Sequence, residues 1–285
     1  MNTFDVHDPI LAPELLRDPA ARAVVRLIDV RAGAAGHSAY AERHLEGALH
    51  ADLDHDLAGD ASHPEHGGRH PLPDLAAFAR TLGSWGIDEH TPVVLYDAQH
   101  GANAAARLWW MLRAVDHLPV WVLDGGYSLA VETGLPTSTA VPTFAPCAPY
   151  PVPPAWTLPT IDLGTIFHAR TDPAWRVLDV RAPDRFRGER EPIDPIAGHI
   201  PGAQSLFFEE NLDENGRFLP ASALHAKYTA WLGDRSPDQL AVHCGSGVTA
   251  CHTLLALARA RLDGAALYVG SWSEWCRNEA LPRVP

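Results

Sequence analysis

The sequence contains the same four motifs twice, in the same order, and this duplication limits the folds open to the chain. The pairs are RLIDVR at 26–31 and RVLDVR at 176–181, HLEGA at 44–48 and HIPGA at 199–203, VVLYD at 93–97 and LAVHC at 240–244, and LDGGY at 123–127 and YVGSW at 268–272. A long internal repeat means that one structural unit is built more than once. The sequence therefore predicts a tandem duplication.

Each half alternates short apolar runs with segments of helical periodicity. In the first half, 26–30, 93–96 and 120–123 are predicted strands and 104–114 is a predicted helix. Apolar runs without polar alternation are typical of parallel strands buried on both faces, and their alternation with helices indicates an α/β fold. We predict two domains, 1–134 and 161–285, each with a mainly parallel sheet flanked by helices. The prolines of residues 135–160 predict an extended linker between them.

Composition excludes several classes of protein. The chain has 285 residues, of which 46% are hydrophobic and 20% charged, and this is typical of a globular protein. Its formal net charge of −13 argues against nucleic acid or an anionic membrane as a partner. No apolar run is long enough for a membrane helix, and the first residues lack the pattern of a secretory signal. These features predict a cytoplasmic protein.

The four cysteines predict reduced thiols and no metal site. Cys147, Cys244, Cys251 and Cys276 show no spacing typical of metal ligands or of a disulfide framework. The histidines at 63, 66 and 70 lie in a stretch rich in Gly, Pro and Asp, which favours a polar surface loop over a metal site.

Cys244 is the strongest candidate for chemistry. It follows a predicted strand and precedes Gly245-Ser246-Gly247-Val248-Thr249, after which helical periodicity begins. Unpaired N–H groups at the start of a helix attract anions and favour a thiolate. A buried structural cysteine is the alternative, but two glycines around Ser246 favour a functional turn. The first half has Asp97 at the matching position, so we predict that the first domain is catalytically inactive.

These residues resemble the two-domain rhodanese-type sulfurtransferases. The resemblance rests on CGSGVTA at 244–250, GHIPGA at 198–203, RFRG at 185–188 and GSWSEW at 270–275, and it spans nearly the whole chain. Within the family, the loop sequence CGSGVT is similar to that of the 3-mercaptopyruvate sulfurtransferases. Thiosulfate-using relatives tend to have an Arg-Lys pair after the cysteine, where this chain has neutral residues.

The resemblance implies transfer of a sulfane sulfur through a persulfide on Cys244. A small anionic donor gives its sulfur to Cys244, and a thiol such as thioredoxin or a small thiol, or cyanide, accepts it. The backbone N–H groups of Gly245, Gly247, Val248 and Thr249 are expected to hold the anionic sulfur. The reaction needs no metal and no organic cofactor.

The resemblance also assigns residues to the donor and to proton transfer. Arg185 matches the arginine that binds the donor's anionic group. A second family arginine is missing from the stretch EPIDP at 191–195, and Arg187 or Arg190 are candidates to replace it. A proposed Ser-His-Asp relay of the family matches Ser246, His70 and Asp54. Asp179 and Arg181 recur as Asp29 and Arg31 in the inactive half, so we expect them to support the fold.

The sequence leaves two alternatives open. Thiosulfate could be the donor within the same fold, or the chain could be a persulfide carrier loaded by a partner protein. A cysteine phosphatase is disfavoured because its Cys-x5-Arg signature would need arginine where this chain has Ala250. Cys276 is either a redox partner or an idle thiol, and the oligomeric state is not predicted.

Overall fold

The computed structural model describes residues 4–102 and 104–284. The chain forms two compact units. The first unit comprises Met1–Leu57, Pro73–Thr157 and Glu214–Phe218, and the second comprises Ala58–Leu72, Leu158–Asp213 and Leu219–Pro285. Residues 58–72, from the first half of the sequence, therefore belong to the same unit as Cys244.

The first unit is built on a five-stranded parallel sheet. Its strands are β1 (Ile10–Leu11), β2 (Arg26–Asp29), β4 (Leu49–His50), β5 (Val93–Tyr96) and β6 (Val120–Leu123), in the order β1-β6-β5-β2-β4. Two short strands, β3 (His44–Leu45) and β7 (Thr137–Ser138), form a separate antiparallel pair. The central strands β5 and β6 are buried at every position, as their uninterrupted apolar runs predict.

The helices of the first unit cover its sheet. They are α1 (Pro19–Ala23), α2 (Gly33–Glu42), α3 (Leu53–Asp56), α4 (Leu75–Ser84), α5 (Ala104–Arg113) and α6 (Gly126–Glu132), with a 3-10 turn at Pro13–Leu16. Helix α5 has the bounds that the sequence predicts to within one residue, and nearly its whole surface is buried.

The proline-rich segment packs against the first unit. Residues 139–159 contain no helix or strand. The N–H groups of Cys147 and Tyr150 nevertheless donate to the carbonyls of Gly83 and Ala79 in α4. Trp156 also packs on aromatic rings of α4 and α5. This extended segment is therefore held by backbone hydrogen bonds to α4 and by aromatic packing, without secondary structure of its own.

We expect the first unit to lose stability below pH 6.5 because of His117. This ring is fully buried, with Nδ1 3.1 Å from the Tyr150 hydroxyl, and burial lowers its pKa to about 4. The unfolded chain binds a proton near pH 6.5 and the folded unit does not, so stability present above that pH falls as the pH drops toward 4. Between pH 8 and pH 5 the loss from this group is about 2 kcal/mol.

Urea unfolding of wild type and His117→Asn at pH 8 and pH 5 measures the contribution of His117 to the free energy of unfolding. The variant should lose about 2 kcal/mol less than wild type over the same pH interval, whatever its stability at pH 8. His63→Gln, at an exposed position, is the control and should keep the wild-type pH dependence. Equal losses in His117→Asn and wild type would show that His117 is not the responsible group.

The second unit repeats the sheet of the first. Its strands are β8 (Thr160–Ile161), β9 (Arg176–Asp179), β10 (Gln204–Ser205), β11 (Leu240–His243) and β12 (Ala266–Tyr268), all parallel, in the order β10-β9-β11-β12-β8. Its helices are α7 (Leu163–Ala169), α8 (Pro183–Phe186), α9 (Ala221–Leu232), α10 (Ala250–Arg259) and α11 (Ser271–Trp275), with 3-10 turns at Phe208–Asn211 and Pro237–Gln239. The predicted strand before Cys244 is thus β11, in the centre of the sheet.

Candidate active site

Cys244 lies at the carboxyl end of β11, where parallel α/β sheets commonly bind ligands. We call residues 244–249 the Cys244 loop. It connects β11 to α10, and Cys244 is 3% exposed. Within the described ranges, the N–H groups of residues 245–249 donate to no protein acceptor. Such a row of N–H groups at the start of a helix can hold an anion.

Helix α11 fixes the start of the Cys244 loop. The N–H of Cys244 donates to Oγ of Ser271 at 3.1 Å. The carbonyls of Cys244 and Gly245 accept from the N–H groups of Trp272 and Ser273, at 3.0 and 2.8 Å. These bonds satisfy the N–H of Cys244 and the carbonyls of Cys244 and Gly245. The N–H groups of residues 245–249 are left to bind a ligand.

Gly247 sets the curvature of the Cys244 loop. Its φ of +76° lies in the left-handed region, which favours glycine. A Cβ at this position would also collide with the carbonyl of Val269. The second glycine of the motif is therefore required by the backbone.

The loop of the first unit that matches the Cys244 loop in sequence holds a carboxylate. There Asp97 follows β5, and its carboxylate accepts from the N–H groups of Gln99, Gly101 and Ala105 at 2.8, 2.9 and 3.3 Å. The matching loop of the first unit is thus filled by an anion of the protein itself. The second unit has the thiol of Cys244 at the equivalent place in the sequence.

Ser246 and His70 are brought together within the second unit. Ser246 is buried, and its Oγ lies 2.7 Å from Nδ1 of His70. The segment before His70 is anchored to α11: the N–H of Gly67 donates to Glu274 at 2.7 Å, and that of Arg69 donates to Ser273 at 3.1 Å. Asp54, the third predicted relay residue, lies in α3 of the first unit, where its N–H donates to Asp52.

Arg185 points at the Cys244 loop, while the other two predicted donor arginines are engaged at the surface. A Cβ built on Gly245 would lie 3.5 Å from Nη2 of Arg185, and Arg185 also pairs with Glu191 at 2.7 Å. Arg187 pairs with Glu189 at 2.7 Å and Arg190 with Asp184 at 2.8 Å. Both of these arginines are more than half exposed, at 54% and 63%.

Arg69 and the carboxylate that holds it were not predicted from the sequence. Asp194 is buried and binds Nε of Arg69 at 3.1 Å and Nη1 of Arg277 at 2.8 Å. Nη2 of Arg69 would lie 3.3 Å from a Cβ on Gly245, closer than any atom of Arg185. The one available signal was the position of Arg69 beside the predicted relay residue His70.

A buried ion pair lies at the end of β9, the strand that pairs with β11. Arg181 binds Asp179 at 2.7 Å and Glu191 at 3.3 Å. Burial disfavours both charges, but their mutual attraction outweighs it, lowering the pKa of Asp179 and raising that of Arg181. Cys244 is close enough to contribute to the pKa of Arg181. The same Asp-Arg pair occurs in the first unit, where Arg31 binds Asp29 at 2.7 Å.

His243 is buried directly before Cys244. Burial lowers its pKa, although the charge of Asp179, 3.9 Å away, partly opposes the shift. The ring is therefore neutral at pH 7, and it adds no positive charge beside the nucleophile.

The other cysteines differ from Cys244 in their surroundings. Cys251 is buried in α10, with its Sγ 3.3 Å from the carbonyl of Gly247. Burial and the nearby charge of Asp194 raise the pKa of the Cys276 thiol to about 11, so this thiol is protonated at neutral pH. All four cysteines are free.

The described residues contain neither a cluster of metal ligands nor a helix that could span a membrane. Across 4–102 and 104–284, no group of three or more His, Cys, Asp or Glu side chains is arranged to hold a metal ion. No helix in these ranges is long and apolar enough to cross a bilayer.

Comparison with known proteins identifies the family. The rhodanese-like domain family matches residues 12–132 and again 167–278. The chain is 44% identical to a probable 3-mercaptopyruvate sulfurtransferase of Pseudomonas aeruginosa, over 87% of this chain and 86% of the relative. It is 36% identical to a putative thiosulfate sulfurtransferase of Mycobacterium tuberculosis, over 87% of this chain and 85% of the relative.

A solved structure supports the same assignment. The 3-mercaptopyruvate sulfurtransferase from Leishmania major superposes with a TM-score of 0.79 at 28% identity, covering 96% of this chain and 75% of that one. The predicted α/β fold with two tandem domains is confirmed. A sulfurtransferase takes sulfur from a donor and passes it to an acceptor. The chain belongs to the rhodanese family, with two tandem rhodanese-like domains, and it is a sulfurtransferase.

Proposed function

We propose that the chain transfers sulfur from 3-mercaptopyruvate to a thiol through a persulfide on Cys244. The observation that carries this proposal is the Cys244 loop, which offers the N–H groups of residues 245–249 to an anion and has no charged side chain of its own. The 44% identity to a probable 3-mercaptopyruvate sulfurtransferase supports this donor. In this proposal the reaction takes place in the second unit. The first unit has Asp97 in place of the cysteine and therefore has no nucleophile at that position.

The first half-reaction moves one sulfur atom and returns one electron pair to carbon. The Cys244 thiolate attacks the donor sulfur, an S–S bond forms, and the C–S bond of mercaptopyruvate breaks. The electrons of that bond leave with carbon as the enolate of pyruvate. The proton of the donor thiol must then reach the enolate carbon, so that pyruvate and a Cys244 persulfide are the products. This divides one transfer into two easier steps.

Ser246 and His70 are suited to moving that proton. The 2.7 Å contact between Ser246 Oγ and His70 Nδ1 joins a hydroxyl beside the nucleophile to an imidazole. A hydroxyl that donates one proton as it accepts another can serve the donor thiol and the enolate in turn. Asp54 as the orienting carboxylate, and Arg187 and Arg190 as donor ligands, remain predictions from the resemblance.

The second half-reaction passes the outer sulfur to an acceptor thiolate. Attack on that sulfur breaks the S–S bond of the persulfide and regenerates the Cys244 thiolate, so no external oxidant or reductant is consumed. A small thiol or a dithiol protein such as thioredoxin fits this chemistry. Four free cysteines are in keeping with a reducing compartment such as the cytoplasm.

Steady-state transfer to cyanide, with mercaptopyruvate and thiosulfate compared under the same conditions, tests the donor. We expect kcat/KM for mercaptopyruvate to exceed that for thiosulfate at least about tenfold, because thiosulfate is a dianion and the loop supplies no cationic side chain. A preference for thiosulfate would favour the function named for the M. tuberculosis relative. Loading by a partner desulfurase without turnover of either donor would instead identify a persulfide carrier.

A further inference from the structure

One carboxylate of α11 holds the segment that leads to His70. We call residues 65–70 the His70 strap; it lies in the second unit and contains no helix or strand. The Glu274 side chain accepts from the N–H of Gly67 through Oε1 and from the hydroxyl of Tyr268 through Oε2, both at 2.7 Å. Tyr268 is fully buried, so Glu274 joins the strap to the core of the second unit.

The Glu274 carboxylate is a strong acceptor for both of these donors. Glu274 is only 8% exposed, and hydrogen bonds to an ionised acceptor are about twice as strong as those between neutral groups. Burial and the charge of Glu274 raise the pKa of Tyr268 well above its ordinary value, so the phenol stays protonated and donates. The carboxylate is therefore a firm attachment point for the strap.

Two glycines allow the His70 strap to approach α11 closely. Gly67 and Gly68 have φ angles of +88° and +78°, and a Cβ on Gly68 would collide with the carbonyl of Gly270. The N–H of the next residue, Arg69, donates to Oγ of Ser273 at 3.1 Å. Consecutive glycines increase the entropy lost when a loop is ordered. The strap therefore depends on its contacts with α11 to keep one conformation.

Helix α11 holds both sides of the proposed proton route. Its backbone holds the Cys244 loop, since the N–H of Trp272 donates to the carbonyl of Cys244 at 3.0 Å. Its side chains hold the His70 strap, which ends with Nδ1 of His70 2.7 Å from Oγ of Ser246. A displacement of about 1 Å in a catalytic group can reduce the rate about 100-fold. The attachment of the strap thus controls a distance on which the rate depends.

We propose that Glu274 is a positioning residue for His70, which it keeps within hydrogen-bond distance of Ser246 by holding the His70 strap on α11. Glu274 acts through the strap and not on the reacting atoms. The part of His70 in protonating the enolate rests on the proposed function. Loss of Glu274 should therefore slow the chemical step with mercaptopyruvate and leave donor binding nearly unchanged.

Turnover of two donors tests this role. Glu274→Ala should lower kcat with mercaptopyruvate about 10- to 100-fold, with KM within about threefold of wild type. Glu274→Gln keeps an oxygen that can accept from Gly67, so its kcat should stay within about fivefold of wild type. Whatever thiosulfate activity wild type has should change by less than about threefold in Glu274→Ala, because no carbon is protonated. In a His70→Ala background, Glu274→Ala should cost less than about twofold more.

Two further variants separate positioning from damage to α11. Trp275→Phe changes the same helix on its core side, where Nε1 of Trp275 donates to the carbonyl of Pro282 at 2.9 Å, and its kcat should stay within about threefold of wild type. Gly68→Ala displaces the strap without changing the core and should reproduce the loss seen in Glu274→Ala. Equal losses in Glu274→Ala and Trp275→Phe, or additive effects of Glu274→Ala and His70→Ala, would overturn the proposal.

Modification by diethyl pyrocarbonate reports the position of His70 without any sulfur donor. Its rate at His70, relative to that at the exposed His90, is measured on the full chain by peptide mass spectrometry. The ratio should rise about fivefold or more in Glu274→Ala and Gly68→Ala, because an imidazole freed from its hydrogen bond reacts more readily, and stay within about twofold in Trp275→Phe. An unchanged ratio in Glu274→Ala would overturn the proposal. If wild type does not use mercaptopyruvate, the proposed function fails, while this ratio still decides whether Glu274 positions His70.

Discussion

Cys244→Ser is expected to abolish sulfur transfer with every donor while leaving the fold intact. The reaction requires a sulfur nucleophile at one atom, and loss of a nucleophile costs about four orders of magnitude or more in kcat. Serine fits the same space, and the loop contacts of Cys244 are made by its backbone to Ser271 and Trp272. Cyanide transfer measures the activity, and circular dichroism with a urea titration measures the fold.

Cys147→Ser is the matched control for this substitution. Cys147 is an exposed free thiol whose Sγ lies 3.4 Å from the carbonyl of Ile87, a contact that serine can also make. Its activity should stay within about twofold of wild type. Transfer above about 1% of wild type in Cys244→Ser would contradict chemistry at a single nucleophile.

Ser246→Ala is expected to lower kcat with mercaptopyruvate about 100-fold or more, with KM nearly unchanged. Its hydroxyl contacts His70, so we expect its loss to affect proton movement more than donor binding. His70→Ala should give a similar loss. Because both side chains serve one proton route, the double variant should be little worse than either single variant.

Comparing mercaptopyruvate with thiosulfate distinguishes loss of the proton route from general damage to the Cys244 loop. Thiosulfate releases sulfite, and no carbon has to be protonated, so Ser246→Ala should reduce whatever thiosulfate activity wild type has by less than about tenfold. Equal losses with both donors, or additive effects of Ser246→Ala and His70→Ala, would rule out a shared proton route.

The parallel sheets could be predicted because the sequence patterns of their strands are local. The apolar runs at 26–30, 93–96 and 120–123 form buried strands, and the repeat placed a second copy of each pattern in the other half. Cys244 was found in the same way, because its strand, its glycines and its helix are consecutive in the sequence. These features need no knowledge of which segments meet in space.

The ion pairs of Asp194 could not be predicted because their members are distant in sequence. Arg69, Asp194 and Arg277 meet only because residues 58–72 join the second unit and bond to α11. In the sequence, Arg69 lies in a polar stretch that reads as a surface loop. Conversely, Arg187 and Arg190 are close to Arg185 in sequence, yet each pairs with a surface carboxylate.

Intact mass after mixing the reduced chain with mercaptopyruvate, in the absence of an acceptor, tests the central claim most directly. We predict that wild type gains the mass of one sulfur atom, that the gain maps to the peptide containing Cys244, and that one equivalent of pyruvate is released. Addition of a thiol should remove the gained mass, and Cys244→Ser should show none. A sulfur atom gained on another cysteine, or pyruvate released without a persulfide on Cys244, would contradict the account.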